Sequence, residues 1–197
     1  MNKFIITFII MQNKIIIHIS GAQGSGKSTM GNILSQEFKE NIIVKDLDDL
    51  HVDFYKQTGI QNYQQFIYNF TEKYNKPIIF TGLSSEMCLG NMDENNNTFY
   101  KIPTKYKYYI DMDDNDILKQ RFFRQTTKLM ERKEWFFDSW LKNPNEIQKK
   151  LLRVINLSEW KENNKKCKDI HKKYNYIFMD QQNILEKIKK ILHKQNK

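Results

Sequence analysis

The stretch Gly21-Ala22-Gln23-Gly24-Ser25-Gly26-Lys27-Ser28 lies between two segments of different periodicity, and that placement constrains the fold more than any other feature of the chain. Before it, Lys14 to Ser20 (KIIIHIS) is a β-branched run suited to a buried strand. After it, Met30, Ile33, Leu34 and Phe38 recur at helical spacing through Glu40. A strand that turns through glycines directly into a helix leaves the first N–H groups of that helix without intrahelical partners, with the positive end of the dipole facing the turn. Gly, four residues, then Gly-Lys-Ser is the spacing by which such a loop wraps a triphosphate, its N–H groups aimed inward at backbone angles that glycine reaches cheaply. Lys27 would reach the β- and γ-phosphates, and the Ser28 hydroxyl would be a ligand of Mg²⁺. Nucleotide contacts are expected at Gly21, Gln23, Gly24, Ser25, Gly26, Lys27, Ser28 and Thr29.

Strand and helix patterns alternate along the rest of the chain. Asn41 to Lys45 is a short apolar run that ends in Asp46-Leu47-Asp48-Asp49-Leu50-His51, and Val52 to Gly59 reads as helix or loop. Tyr63, Phe66, Ile67, Phe70 and Tyr74 form a helical stripe, Pro77 to Gly82 a third strand, Ser84 to Thr104 an Asn-rich loop, and Tyr106 to Ile110 a fourth strand. From Asn115 the pattern is helical, interrupted at Asn143-Pro144, with a second helix expected from Asn145 to about Asn163 and a basic link over Lys165 to Lys173. A fifth strand, Tyr174 to Met179, precedes a closing helix that carries Ile184, Leu185, Ile188, Ile191 and Leu192. Five such alternations predict an α/β fold: a parallel sheet covered on both faces, with the first strand central. The whole chain, 1–197, reads as a single domain with a lid insertion at about 115–165.

A carboxylate at a strand end beside phosphates can orient or deprotonate an acceptor hydroxyl and help hold Mg²⁺. Asp46 and Asp48 are two apart, so an extended stretch would place them on one side; as plain structure, Asp48 or Asp49 would instead cap the following helix. His51 reads as a helix-surface residue. Arg121, Arg124, Lys128 and Arg132 stand at i, i+3, i+7 and i+11, one face of the long helix, with Leu118, Phe122 and Leu129 beside it. Trp135, Phe136, Phe137 and Trp140 form an aromatic group expected to pack. Composition sharpens the arginine signal: only 121, 124, 132 and 153 are Arg among 32 cationic residues, so three Arg within twelve positions mark a place that needs the guanidinium fork. The net charge of +9 is itself weak evidence for a nucleic-acid partner, because a Lys-, Asn- and Ile-rich chain carries the imprint of an A/T-rich genome. Two cysteines, Cys88 and Cys167, without a CxxC or His/Cys cluster, suit a reducing, cytoplasmic compartment and no structural zinc. Phe4 to Met11 is too short to span a bilayer, and reads as an extra edge strand or as residues upstream of a start at Met11.

The third strand ends in Thr81-Gly82, where many ATPases carry a magnesium-binding Asp, which argues against motor- and GTPase-type proteins. With the glycine-rich loop, the strand-terminal Asp46-Leu47-Asp48-Asp49-Leu50-His51 and the Tyr-Tyr-Ile-Asp strand leading to Arg121-Phe-Phe-Arg124, the chain resembles the P-loop kinases of the adenylate, shikimate and gluconate kinase superfamily. The resemblance implies the P-loop NTPase three-layer fold with a helical lid, and an ATP- and Mg²⁺-dependent transfer of a phosphoryl group to a small acceptor, a nucleoside or nucleotide first. It assigns Asp46 to magnesium or base, Asp48 to the acceptor, Arg121 and Arg124 to phosphates, and Asp180 to Asn183 to the vicinity of the adenine. Leu47 stands where sugar-acid kinases carry a small residue, so their substrate is not implied. The alternatives are a polynucleotide 5′-hydroxyl kinase, with nucleic acid a less favoured partner, and a nucleotide sensor without catalysis. No membrane partner is expected.

Overall fold

The computed structural model describes residues 14–56, 63–82, 104–131, 133–155 and 157–195. Phe4 to Met11, Gly59, Cys88, Arg132 and the Asn-rich segment as far as residue 103 lie outside the described residues. The strands are β1 (Ile16–Gly21), β2 (Ile43–Asp46), β3 (Ile78–Thr81), β4 (Tyr106–Ile110) and β5 (Ile177–Met179). They pair in parallel as one sheet in the order β2-β3-β1-β4-β5, so β1 is central, as expected. The helices are α1 (Lys27–Phe38), α2 (Leu47–Lys56), α3 (Tyr63–Glu72), α4 (Asp114–Glu131), α5 (Lys133–Lys142), α6 (Pro144–Ile155), α7 (Leu157–Lys173) and α8 (Gln181–Gln195).

Strands buried on both faces read as nearly unbroken apolar runs, which is what Ile15 to Ile19 and Ile78 to Phe80 supply. The odd-numbered face of β1, with Ile17 and Ile19, meets Met30, Leu34 and Phe38 of α1 and Ile184, Ile188 and Leu192 of α8. On the other face Ile16, Ile78 and Phe80 meet Leu47 and Leu50 of α2 and Tyr63, Phe66, Ile67 and Phe70 of α3. Tyr109 packs with Cys167 of α7 and Tyr176. Each fully covered large apolar side chain contributes roughly 1.5–3 kcal/mol, so the two faces together fix the sheet between its helices. The chain leaves β1 toward β2, returns through β3, then crosses to β4. That reversal opens a crevice at the carboxyl end of β1, where ligands bind in open α/β sheets, and the glycine-rich loop lies there.

Four expectations for the C-terminal half are corrected. The basic segment Lys165 to Lys173 is not a link but the last half of α7, whose inward face carries Cys167 and His171 into the core while Lys165, Lys166, Lys172 and Lys173 are exposed. The helix expected from Asn145 to Asn163 is two helices, α6 and α7. The interruption at Asn143-Pro144 is observed: the Asn143 side chain accepts the Glu146 N–H at 3.3 Å, and Pro144 takes the first helical position, where a missing N–H costs nothing. Phe122, expected on an apolar face, is 51 % exposed, because α4 docks instead through Ile117 and Leu118 onto Ala22 and Trp160. Phe137 and Trp140 touch each other with ring centroids 6.0 Å apart yet remain about half exposed, so this part of the aromatic group does not pack into a core. Among the described residues no helix is long and apolar enough to cross a membrane.

Candidate functional site

The loop between β1 and α1 is closed by its own backbone, the Ser25 N–H donating to the Ala22 carbonyl at 3.1 Å. Gly26 begins α1 at φ 87°, a left-handed angle that a side chain would strain. No side chain caps this helix and its first turn holds no acidic residue, so the dipole at Lys27, Ser28 and Thr29 is left unneutralised. The Lys27 ammonium folds back over the loop and donates to the Gly21 carbonyl at 2.9 Å and the Ala22 carbonyl at 2.8 Å.

These groups face a cavity of about 520 Å³ whose wall includes Lys27, Ser28, Asp46, Asp48, Gly82 and Arg124. Gln23, Gly24, Gly26 and Thr29 also line it, whereas Gly21 and Ser25 are buried beneath the loop. The Ser25 hydroxyl has no hydrogen-bond partner among the described residues, and it lies under Gly21 at the place a side chain there would fill. A second cavity of about 480 Å³ shares Ser28, Asp46, Asp48 and Arg124 with the first and extends along Asn32 and Ser35.

Asp46 ends β2 and accepts three hydrogen bonds. Its Oδ2 accepts from the Ser28 hydroxyl at 3.1 Å and from the Thr81 hydroxyl at 3.3 Å, and its Oδ1 accepts the Asp48 N–H at 3.0 Å. The expectation of an extended Asp46–Asp48 stretch is therefore corrected. Helix α2 starts at Leu47, Asp46 takes the N-cap role otherwise expected of Asp48 or Asp49, and the turn places both carboxylates on one cavity. Withdrawal of the Asp48 carboxyl from water holds its pKa above the ordinary value, and the Asp46 charge adds to this.

The arginines follow from how α4 is docked. Ile117 is fully buried against Ala22 and Trp160, and Arg121 and Arg124 lie four and seven residues on, along the same helical stripe. Arg124 lines both cavities. Arg121 is half-buried beside the loop, its backbone N 3.7 Å from where a side chain would begin at Gly24, and lines neither cavity. The base of α4 is tied to α7 by the Asn164 amide, which donates to Asp114 at 2.8 Å, and by Lys168, 3.1 Å from Asp111 and 3.6 Å from Asp114.

No protein-family model matches this chain, and no curated protein matches it. What the site can do follows from its own atoms. Two of its residues escaped the sequence analysis: Gln120, which lines the first cavity one turn before Arg124, and Thr81, whose hydroxyl donates to Asp46. The i, i+4 spacing of Gln120 and Arg124 is a signal for the first; the second depends on which chain ends the sheet brings together. In the stretch from Asp180 to Asn183, the Gln181 amide lies beside Gly26. Asp180 caps α8 through the Asn183 N–H at 2.8 Å, a bond that lowers its pKa. His51 is half-buried, its ring edge-on to Tyr55 and Tyr63, and lines neither cavity.

Proposed function

We propose that this chain is a P-loop kinase that transfers the terminal phosphoryl group of ATP to a small acceptor, with a nucleoside or nucleotide as the first candidate. The observation that carries this reading is the convergence of Lys27 and the uncapped start of α1 on the same cavity as Asp46, Asp48 and Arg124. An anion-attracting helix end and a lysine suit the polyphosphate, and phosphoryl transfer needs little beyond positioning and neutralisation of charge. The loop at the carboxyl end of the central strand, in a sheet ordered β2-β3-β1-β4-β5, agrees with the P-loop NTPase three-layer architecture.

The donor set fits magnesium. Ser28 and Asp46 offer hard oxygen atoms 3.1 Å apart, and Mg²⁺ is held by one or two carboxylates with waters and substrate phosphates rather than by a full protein cage. When bound, the ion would neutralise phosphate charge. In this reading the Lys27 ammonium leaves the Gly21 and Ala22 carbonyls for the phosphate oxygens. Asp48, whose raised pKa favours taking up a proton, receives the proton of the acceptor hydroxyl. Arg124 supplies a fork for the moving phosphoryl group, from a helix that forms the inner wall of the lid segment 115–165.

The test is ATP binding by calorimetry, with turnover over a panel of nucleosides, nucleotides and other small hydroxyl acceptors. Lys27→Ala is expected to abolish turnover and to weaken ATP binding at least tenfold. Unchanged binding and turnover in that variant would remove the loop from the chemistry.

A further inference from the structure

His18 is the one ionisable residue in the apolar run of β1, and it is wholly buried. Its ring bridges two elements. Nε2 lies 3.1 Å from the Gly82 carbonyl oxygen, which can only accept, so Nε2 carries the proton and donates. Nδ1 must then accept, and the Tyr176 hydroxyl donates to it. The Gly82 N–H is also bound to β1, donating to the Ile19 carbonyl at 3.3 Å, so both polar groups of this residue are fastened to the central strand.

What Gly82 touches gives this attachment its consequence. At φ 113° it turns the chain out of β3, and a side chain begun there would stand 2.9 Å from Asp46 Oδ1 and 3.3 Å from the Leu47 backbone N. Gly82 thus borders the carboxylate that Ser28 and Thr81 hold, with no room for a side chain between them, and it lines the cavity with Lys27, Asp48 and Arg124. We infer that His18 is a positioning residue: from beneath the sheet it holds Gly82 as a wall against Asp46 and thereby sets that carboxylate for the phosphoryl transfer proposed above. Burial keeps the ring neutral, so the link is not lost as the pH varies around neutrality.

The experiment compares His18→Leu, which keeps the bulk and loses both bonds, with His18→Gln, whose amide can donate to Gly82 and accept from Tyr176. Tyr176→Phe is the milder perturbation should His18→Leu fail to fold. Two readouts are taken on folded protein: the Asp48 amide proton shift by NMR, which reports the 3.0 Å bond from the Asp48 N–H to the Asp46 carboxylate, and the split between kcat and nucleotide KM. The expected result for His18→Leu is an Asp48 amide shift moved away from its wild-type position, with kcat at least tenfold lower and nucleotide KM within about threefold. His18→Gln should restore most of both, and Tyr176→Phe should fall between. An Asp48 amide shift unchanged in folded His18→Leu, or in folded Tyr176→Phe where the leucine variant does not fold, overturns the inference whether or not the protein turns over. Absence of ATP binding by the wild-type protein would instead sink the kinase reading while leaving the NMR comparison intact.

Discussion

Acidification offers a direct test of the buried polar groups beneath the loop. His18 and His171 are both fully covered, and burial, the largest cause in each, pushes their pKa values down to about 3 and about 4 from 6.5. His171 Nδ1 donates to the Cys167 carbonyl at 2.7 Å and its Nε2 accepts from the Ser20 hydroxyl at 2.6 Å, so this ring too is held as one neutral tautomer. The folded values lie below the unfolded one, so between pH 6.5 and these values the unfolded chain binds protons that the folded chain refuses. Stability is therefore full above about pH 6.5 and is lost as the pH falls. At pH 5 each histidine withholds its proton across about 1.5 units, which at about 1.4 kcal/mol per unit costs roughly 2 kcal/mol each and roughly 4 kcal/mol together. Against a total of about 5–15 kcal/mol this is a large share. Urea unfolding followed by circular dichroism at pH 7, 6, 5.5 and 5 should show it; with a slope near 2 kcal/mol per molar, the midpoint should drop by about 2 M. Asp48 acts with the opposite sign, since burial raises its pKa and so favours the folded state as acid is added. His18→Gln should halve the drop. A midpoint flat from pH 6.5 to 5, or a drop unaltered in His18→Gln, would refute the reasoning.

The remaining predictions concern α4 and the carboxylates. Ile117→Ala should destabilise the protein by about 2–5 kcal/mol in urea unfolding, because the residue is fully buried where α4 meets Ala22 and Trp160. Asp46→Asn should lower the Asp48 pKa as followed by NMR, since the Asp46 charge is the second cause that raises it. Arg124→Ala should reduce turnover by about 10³ to 10⁵ if its guanidinium meets the transferring group; a loss below tenfold in a steady-state assay would make it a surface residue.

Local chemistry made much of the fold legible. The run KIIIHIS, the helical stripe after Gly26 and the strand over Tyr106 to Ile110 are short-range patterns whose burial is fixed by period alone, and each element appears where that period placed it. Lys27, Ser28, Asp46 and Asp48, read from residue type and strand-end position, line one cavity. The errors fall where a segment's environment is supplied by distant chain. Lys165 to Lys173 looked like a solvated link because its lysines dominate the composition, yet Cys167 and His171 anchor it as helix against Tyr109 and Tyr176.

The order of residues along the chain was enough to set a glycine-rich turn between a buried strand and an uncapped helix, because backbone angles and apolar periods act over a few neighbours. The bridge from Tyr176 through His18 to Gly82, the hold of Thr81 on Asp46, and the aim of Arg124 were settled by packing. Each joins residues that lie dozens of positions apart or depends on how Ile117 seats a helix, and such contacts exist only once parallel pairing has brought the strand ends side by side.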